Sequence, residues 1–288
     1  MRILSISSQV VLGHVGNSAL ALPLARLGVE FYAVPTVLYS NHLGYPTFGG
    51  GPLDTELVRK LLDGLEGQNL PQRLDGVITG YLGRGDNAKL VAERIARWRQ
   101  ARPDLPYLLD PVMGDMEPGE AGKLYVPGDV PAMLRQNLLP LADWTTPNPF
   151  ELSLLTQAEP AKDEAGLRAQ AETLLRNSRL KGVLVTSVVS GDRIGFLLVL
   201  REGAWRLLAP RLDFAIVPNG SGDLLAGLFL VEILKGAAPP AAARRTLSLL
   251  HGLLRETQRQ GGREPAQVAA QEIFARGEEN GVEVSAID

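Results

Sequence analysis

The residues most able to do chemistry lie late in the chain. Val217-Pro218-Asn219-Gly220-Ser221-Gly222-Asp223 runs directly into the apolar stretch Leu224-Leu225-Ala226-Gly227-Leu228-Phe229-Leu230. This is a glycine-rich turn that delivers one carboxylate to the mouth of a helix. Gly220 and Gly222 let the backbone fold tightly, so that successive N–H groups can converge on one spot, and the helix dipole adds partial positive charge there. An acid beside an anion hole suits a group that must take a proton next to a phosphate. The plainer reading also stands at this level: a helix capped by Ser221, with Asp223 complementing the dipole. A second constellation lies upstream. Leu109-Asp110-Pro111-Val112-Met113-Gly114-Asp115 places a carboxylate at a strand end, and Thr146-Pro147-Asn148-Pro149-Phe150-Glu151 presents an amide and a carboxylate three residues apart. Glu151 could equally serve only its own helix dipole. Two carboxylates, Asp110 and Glu151, without a histidine or cysteine cluster suit a hard, oxygen-liganded cation such as Mg²⁺. His251 falls in a helical run and reads as structural. No Gly-x-x-x-x-Gly-Lys-Ser/Thr sequence occurs, so a P-loop is not expected.

The elements that must position these groups alternate. Strand-like runs are expected at Ile3–Ile6, Glu30–Val34, Gly76–Thr79, Tyr107–Asp110, Gly182–Thr186, Ile194–Leu200 and Trp205–Leu208. Helical patterns are expected at 18–27, 54–65, 87–100, 131–138, 150–156, 164–176, 221–234, 241–260 and 265–275. Such alternation indicates an α/β fold with a mostly parallel sheet, whose ligands bind beyond the carboxyl ends of the strands. Ser7 and Ser8, Gly80-Tyr81, Asp110-Pro111 and Thr186-Ser187 all fall at such ends. Tyr39–Leu53, rich in glycine and proline, reads as a flap.

Composition narrows the partners. The 288 residues are 45% hydrophobic, enough for a large core, and the net charge is −3. That balance provides no basic block for nucleic acid, and the segment Arg94–Arg99 reads as a solvated helix face. The absence of cysteine excludes disulfides, thiolate metal sites and cysteine nucleophiles. The opening Met1–Ile6 is strand-like rather than a signal peptide, and the apolar run near Leu224 is interrupted at Glu232, too short to span a membrane. A cytoplasmic protein is expected.

In order along residues 2 to about 260, the chain resembles the pyridoxal kinases of the ribokinase superfamily. The resemblance rests on Ser5–Ser18, Tyr39-Ser40-Asn41-His42, Thr79-Gly80-Tyr81, Asp110–Asp115, Thr146-Pro147-Asn148 with Glu151, and Gly220-Ser221-Gly222-Asp223. It implies one ribokinase-like three-layer sandwich over 1–288 with a short flap, usually homodimeric, that phosphorylates the 5′-hydroxymethyl of pyridoxal with MgATP. By the same resemblance Asp223 is the base, and the amides of Gly220, Ser221, Gly222 and Asp223 form the anion hole. Ser8, Val15, Leu43 and Tyr81 fall in the substrate pocket. Asp110, Thr146, Asn148 and Glu151 handle Mg²⁺ and the triphosphate. Thr186 and Ser187 contact phosphate, and Leu212 and Phe214 line the adenine. Relatives often need a monovalent cation such as K⁺. Three positions depart from the family: Leu43 where Thr is common, Gln9 in place of a His, and Ser221 where Thr or Val is usual. A hydroxymethylpyrimidine kinase of thiamine synthesis shares the Gly-x-Gly-Asp turn and is the alternative enzyme. A non-catalytic vitamer-binding protein is the alternative from another class.

Overall fold

The computed structural model describes residues 1–116, 122–276 and 281–287. The first half runs β1 (Arg2–Leu12), α1 (Asn17–Arg26), β2 (Glu30–Asn41), β3 (Gly50–Pro52), α2 (Thr55–Gly67), β4 (Gly76–Thr79), α3 (Gly85–Ala101) and β5 (Tyr107–Leu109). A small ribbon, β6 (Gly114–Asp115) with β7 (Lys123–Leu124), precedes α4 (Val130–Met133). The second half runs β8 (Trp144–Thr145), α5 (Pro149–Thr156), α6 (Glu164–Arg176), β9 (Gly182–Ser190), β10 (Arg193–Leu200), β11 (Gly203–Pro210), α7 (Ser221–Leu234), α8 (Pro239–Gln260), α9 (Gln271–Arg276) and β12 (Glu283–Ile287).

One ten-stranded sheet has the order β12-β11-β10-β9-β8-β5-β4-β1-β2-β3. Its centre, from β2 across to β9, is parallel, and antiparallel strands flank it at both ends. The central strands are buried on both faces, while the edge strands β3 and β12 are largely exposed, and the buried side chains alternate between two cores with the period of two. Leu4, Val77, Tyr107, Leu109, Val183, Val185, Leu197 and Val199 pack with residues of α2, α3, α5 and α6. Ile3, Ile78, Leu108, Leu184, Phe196 and Leu198 pack with α1, α7, α8 and α9 on the other face. The result is the expected three-layer α/β/α arrangement. Chain order reverses at β1, which has β2 on one side and β4 on the other, so the crevice above β1 and β4 is a topological switch point.

Several local expectations change. β1 does not end at Ile6: it continues through Ser7 and Ser8 to Leu12, and its pairing with β2 slips between Ser7 and Gln9. The serines interrupt the apolar pattern, yet parallel pairing to β2 carries the strand on. The tract 39–53 is not all loop. Asn41 ends β2, and β3 returns against Val37–Tyr39, so the flap is the tip of an edge hairpin. The helix expected over 265–275 forms only at 271–276, after turns. The 131–138 pattern splits into α4 and a π-helical turn at 134–138.

Candidate active site

Two helices open onto the carboxyl ends of the central strands, and each carries an acid at its third position. In α7 the residue before the helix is Gly220, in the left-handed region at φ 86°, where a Cβ would collide with the His14 carbonyl. Ser221 is therefore the first helical residue and not the cap. No side chain among the described residues caps this helix, and the first intrahelical bond runs from Leu224 N–H to Gly220 O at 3.0 Å. The N–H groups of Ser221, Gly222 and Asp223 thus remain as first-turn donors from which an anion can accept.

Asp223 stands over the switch point. Its carboxylate lies beside the ends of β1 and β4: a Cβ built on Gly80 would touch Ser7 and come within 3.6 Å of Asp223 Oδ1. Ser7 also accepts the Tyr81 N–H at 3.1 Å through its hydroxyl, tying the two strand ends together. Burial pushes the Asp223 carboxyl up to about 6, against a lowering by the Gly16 backbone N–H. Gly16 itself has φ 54°, and a side chain there would overlap Ser8. The loop Gly13–Gly16 therefore packs directly between Ser8, the Gly220 turn and the acid. Val15 on this loop is half-buried, and Ser8 is buried beside it.

The second acid is treated differently. Asn148 caps α5 and accepts the Glu151 N–H at 2.8 Å, while Glu151 Oε2 accepts the Asn148 N–H at 3.0 Å, a reciprocal capping box. Glu151 Oε1 accepts the Met113 N–H at 2.9 Å, and the Asn148 amide donates to Gly114 O at 2.9 Å. Glu151 thereby pins the 110–115 segment to the start of α5. Burial nevertheless raises its carboxyl to about 8, opposed by these backbone donors. Asp110, at the end of β5, accepts the Thr146 hydroxyl at 2.9 Å. Burial raises its carboxyl well above the usual range, and the nearby Asp223 and Glu151 raise it further. The two constellations seen in the sequence therefore share one electrostatic field.

Thr186 and Ser187 close the same rim. The Thr186 N–H donates to Pro147 O at 2.9 Å, and Ser187 takes a left-handed φ of 56° where β9 and β10 slip register. A non-glycine residue in that conformation marks local strain held in place by its surroundings. Tyr81 reaches across the rim to donate to Tyr125 O at 3.0 Å, and burial pushes its phenol up to about 12. Leu43 lies in the flap tip, 42% exposed. Leu212 and Phe214 sit half-buried in the irregular segment between β11 and the Gly220 turn. Gln9 points away, donating to the Ser18 hydroxyl of α1 at 2.7 Å, so the departure there leaves the crevice untouched. His251 bonds Pro210 O at 3.1 Å, away from the crevice.

Sequence reasoning missed Gly16, whose N–H holds Asp223, and Glu264, which approaches the same loop from the far end of the chain. The pair Gly13 and Gly16 around the start of α1 is the sequence signal for the first. Glu264 gives no such signal, since its partners lie more than two hundred residues away.

No three-residue cluster of His, Asp or Glu among the described residues is arranged as a complete metal site. No helix among them is long and apolar enough to cross a membrane. Residues 51–267 match the family model described as phosphomethylpyrimidine kinase. A pyridoxal kinase PdxY of Deinococcus radiodurans is 40% identical over 281 residues, covering 95% of this chain and 93% of that one. A PdxY of Leifsonia xyli is 38% identical over 282 residues, covering 96% of both. Among solved structures, the pyridoxal kinase of Leishmania donovani in complex with ADP and pyridoxamine matches with a TM-score of 0.88 at 28% identity, over 100% of this chain and 99% of the other. The central crevice, its glycine-turn acid and these full-length matches agree: the chain belongs to the pyridoxal kinase family, within the wider phosphomethylpyrimidine kinase family.

Proposed function

We propose that the protein transfers the γ-phosphoryl group of ATP to the 5′-hydroxymethyl group of pyridoxal, with pyridoxine and pyridoxamine as related acceptors. The observation that carries this reading is Asp223, an acid over the switch point whose helix leaves its first-turn amides uncapped. With its carboxyl raised to about 6, Asp223 is ionised near neutral pH yet basic enough to accept the hydroxyl proton. The alcohol oxygen forms the new bond to phosphorus, its proton passes to an Asp223 Oδ, and ADP leaves. The amides of Gly220, Ser221, Gly222 and Asp223 stabilise the charge on the transferring phosphoryl. The Gly16 N–H keeps the acid oriented.

Ser8, Val15, Leu43 and Tyr81 form the vitamer side of the site in this reading. Asp110, Thr146, Asn148, Glu151, Thr186 and Ser187 form the triphosphate side, with Leu212 and Phe214 at the adenine. The donor set fits Mg²⁺: Asp110 and Glu151 would offer it carboxylate oxygens, and both carboxyls are raised first by burial and then by neighbouring acids, a field that a cation would relieve. An incomplete protein shell also fits, because Mg²⁺ commonly takes only one or two carboxylates and completes its coordination with phosphates and water. When bound, the ion supplies charge neutralisation to the triphosphate. K⁺ stimulation, a homodimer, a cytoplasmic location and a single catalytic domain over 1–288 belong to the same proposal.

The description of the matching family model favours one second reading, a hydroxymethylpyrimidine kinase. A coupled ADP-release assay with pyridoxal, pyridoxine, pyridoxamine and hydroxymethylpyrimidine tests both. Turnover highest with a B6 vitamer is expected; turnover confined to hydroxymethylpyrimidine transfers the assignment. Vitamer binding without ADP release would instead make the protein a non-catalytic binder.

A further inference from the structure

Glu264 lies outside every constellation described so far, yet it touches two of the walls around Asp223. Its Oε2 accepts the His14 N–H at 3.0 Å, within the loop that carries Val15 and Gly16. Its Oε1 accepts from His42 Nε2 at 2.9 Å and from the Tyr45 hydroxyl at 2.9 Å, both in the flap. The His42 tautomer is set by the other ring nitrogen, since Nδ1 accepts the Gly44 N–H at 3.1 Å. His42 therefore carries its proton on Nε2 and donates to Glu264. The neighbouring Arg263 stacks 3.9 Å over the Tyr45 ring and donates to Gly44 O. This mount is itself anchored. The Ala266 N–H donates to Thr257 Oγ1 at 2.9 Å in α8, and the Gln267 amide donates to Ala19 O at 2.8 Å in α1.

We infer that Glu264 is a positioning residue for the transfer, a latch whose single carboxylate fixes the flap 41–49 and the Gly13–Gly16 loop relative to each other. Leu43 lies between the latched His42 and Gly44, and Gly16, whose N–H reaches Asp223, lies two residues from the latched His14. One side chain thus sets the flap side of the acceptor pocket and the seat of the base together. The inference rests on the phosphotransfer reading above.

The chemistry requires a carboxylate. Three donors from two directions converge on Glu264, so both of its oxygens must accept. A glutamine offers one accepting oxygen and must aim its NH₂ at one of those donors. If the NH₂ faces the flap, His42 can accept only by moving its proton to Nδ1, which breaks the bond from the Gly44 N–H.

The test is E264Q, with two readouts on the full-length protein. Chymotrypsin cleavage after Leu43 and Phe48, without substrates, reports whether the flap is held; both residues are exposed. Steady-state kinetics with pyridoxal report the consequence. Flap cleavage is expected to rise at least tenfold, KM for pyridoxal at least fivefold, and kcat to fall less than KM rises. A double variant with H42Q is expected to be no worse than the poorer single variant, because both break one linkage. Unchanged flap cleavage, a KM within twofold of the parent, or losses from E264Q and H42Q that multiply independently would each overturn the latch. Should E264Q fail to fold, E264D keeps the charge but is one methylene too short to hold both partners, and the same outcomes apply to it. A parent protein inert toward pyridoxal overturns the substrate reading instead; flap cleavage and kinetics on the alcohol it does accept then decide the latch.

Discussion

The starts of α5 and α7 are built on one plan and finished in opposite ways. Each follows a proline-containing turn, and each has an acid as its third helical residue, Glu151 in one and Asp223 in the other. At α5 the cap is Asn148, which exchanges hydrogen bonds with Glu151, and both Glu151 oxygens accept backbone donors. At α7 the cap is Gly220, which has no side chain to give, so the first-turn amides stay available. The difference shows what separates an acid that builds a site from one that can react in it. Glu151 is committed to holding the 110–115 segment, and Asp223 is held by the Gly16 N–H with room left for a proton.

The largest effect expected from breaking this contrast falls on Asp223. D223N keeps the shape and removes the proton acceptor, and loss of a general base costs ~10²–10⁴ in rate, or about 3–5 kcal/mol of barrier. Pyridoxal affinity should change little, since the base acts in the transition state. Steady-state kinetics that leave kcat above about a tenth of the parent would point to another base.

E151Q should act on the scaffold and the metal together. Its amide can replace only one of the two accepting oxygens, so a destabilisation of about 1–3 kcal/mol is expected from the orphaned backbone donor. The Mg²⁺ concentration for half-maximal rate should also rise. Denaturant unfolding and a Mg²⁺ titration check the two halves separately, and an unchanged titration would leave Glu151 with its capping role alone.

Asp110 sharpens the comparison from the opposite direction. Its carboxyl is raised by burial and by Asp223 and Glu151, and Glu151 is raised to about 8. Groups whose pKa is higher folded than unfolded make folding take up protons. Their stabilising contribution is whole below the unfolded value near 4.5 and is lost as pH rises toward 8. The metal-free protein should therefore melt at lower temperature at pH 8 than at pH 6. D110N, which removes one of the crowded charges, should raise the melting temperature at pH 8 by about 2 °C or more while lowering activity. A melting temperature that falls in D110N would contradict the crowding.

The smallest expected effect is at Leu43, in the flap. If a polar contact to the vitamer is missing there, L43T should lower KM for pyridoxal several-fold and leave kcat nearly unchanged, as a neutral hydrogen bond contributes about 0.5–1.5 kcal/mol. No gain for pyridoxal, with weaker use of hydroxymethylpyrimidine, would make Leu43 a selectivity device for a less polar acceptor.

Much of this was legible in the sequence because it is local. The Gly220–Asp223 turn, the Asn148–Glu151 pair and the strand-helix alternation each span a few residues and carry their own periodicity or turn chemistry. Less legible was anything decided by pairing across the chain. The continuation of β1 through Ser7 and Ser8 depends on β2, and the flap hairpin depends on three residues of β3. β8 is two residues long and exists because β5 and β9 lie on either side of it. Ser221 looked like a cap by residue type, but the left-handed Gly220 takes that position. Glu264 was invisible for the same reason: its chemistry is assembled entirely from distant partners.

The pH dependence of kcat/KM for pyridoxal, at subsaturating MgATP, tests the central claim most directly, because it reads the protonation of the base in the unloaded enzyme. With the Asp223 carboxyl raised to about 6, kcat/KM should climb with pH through a limb near 6 and level off above 7, and the limb should vanish from the residual activity of D223N. A flat profile from pH 5 to 8, or the same limb persisting in D223N, would contradict Asp223 as the base.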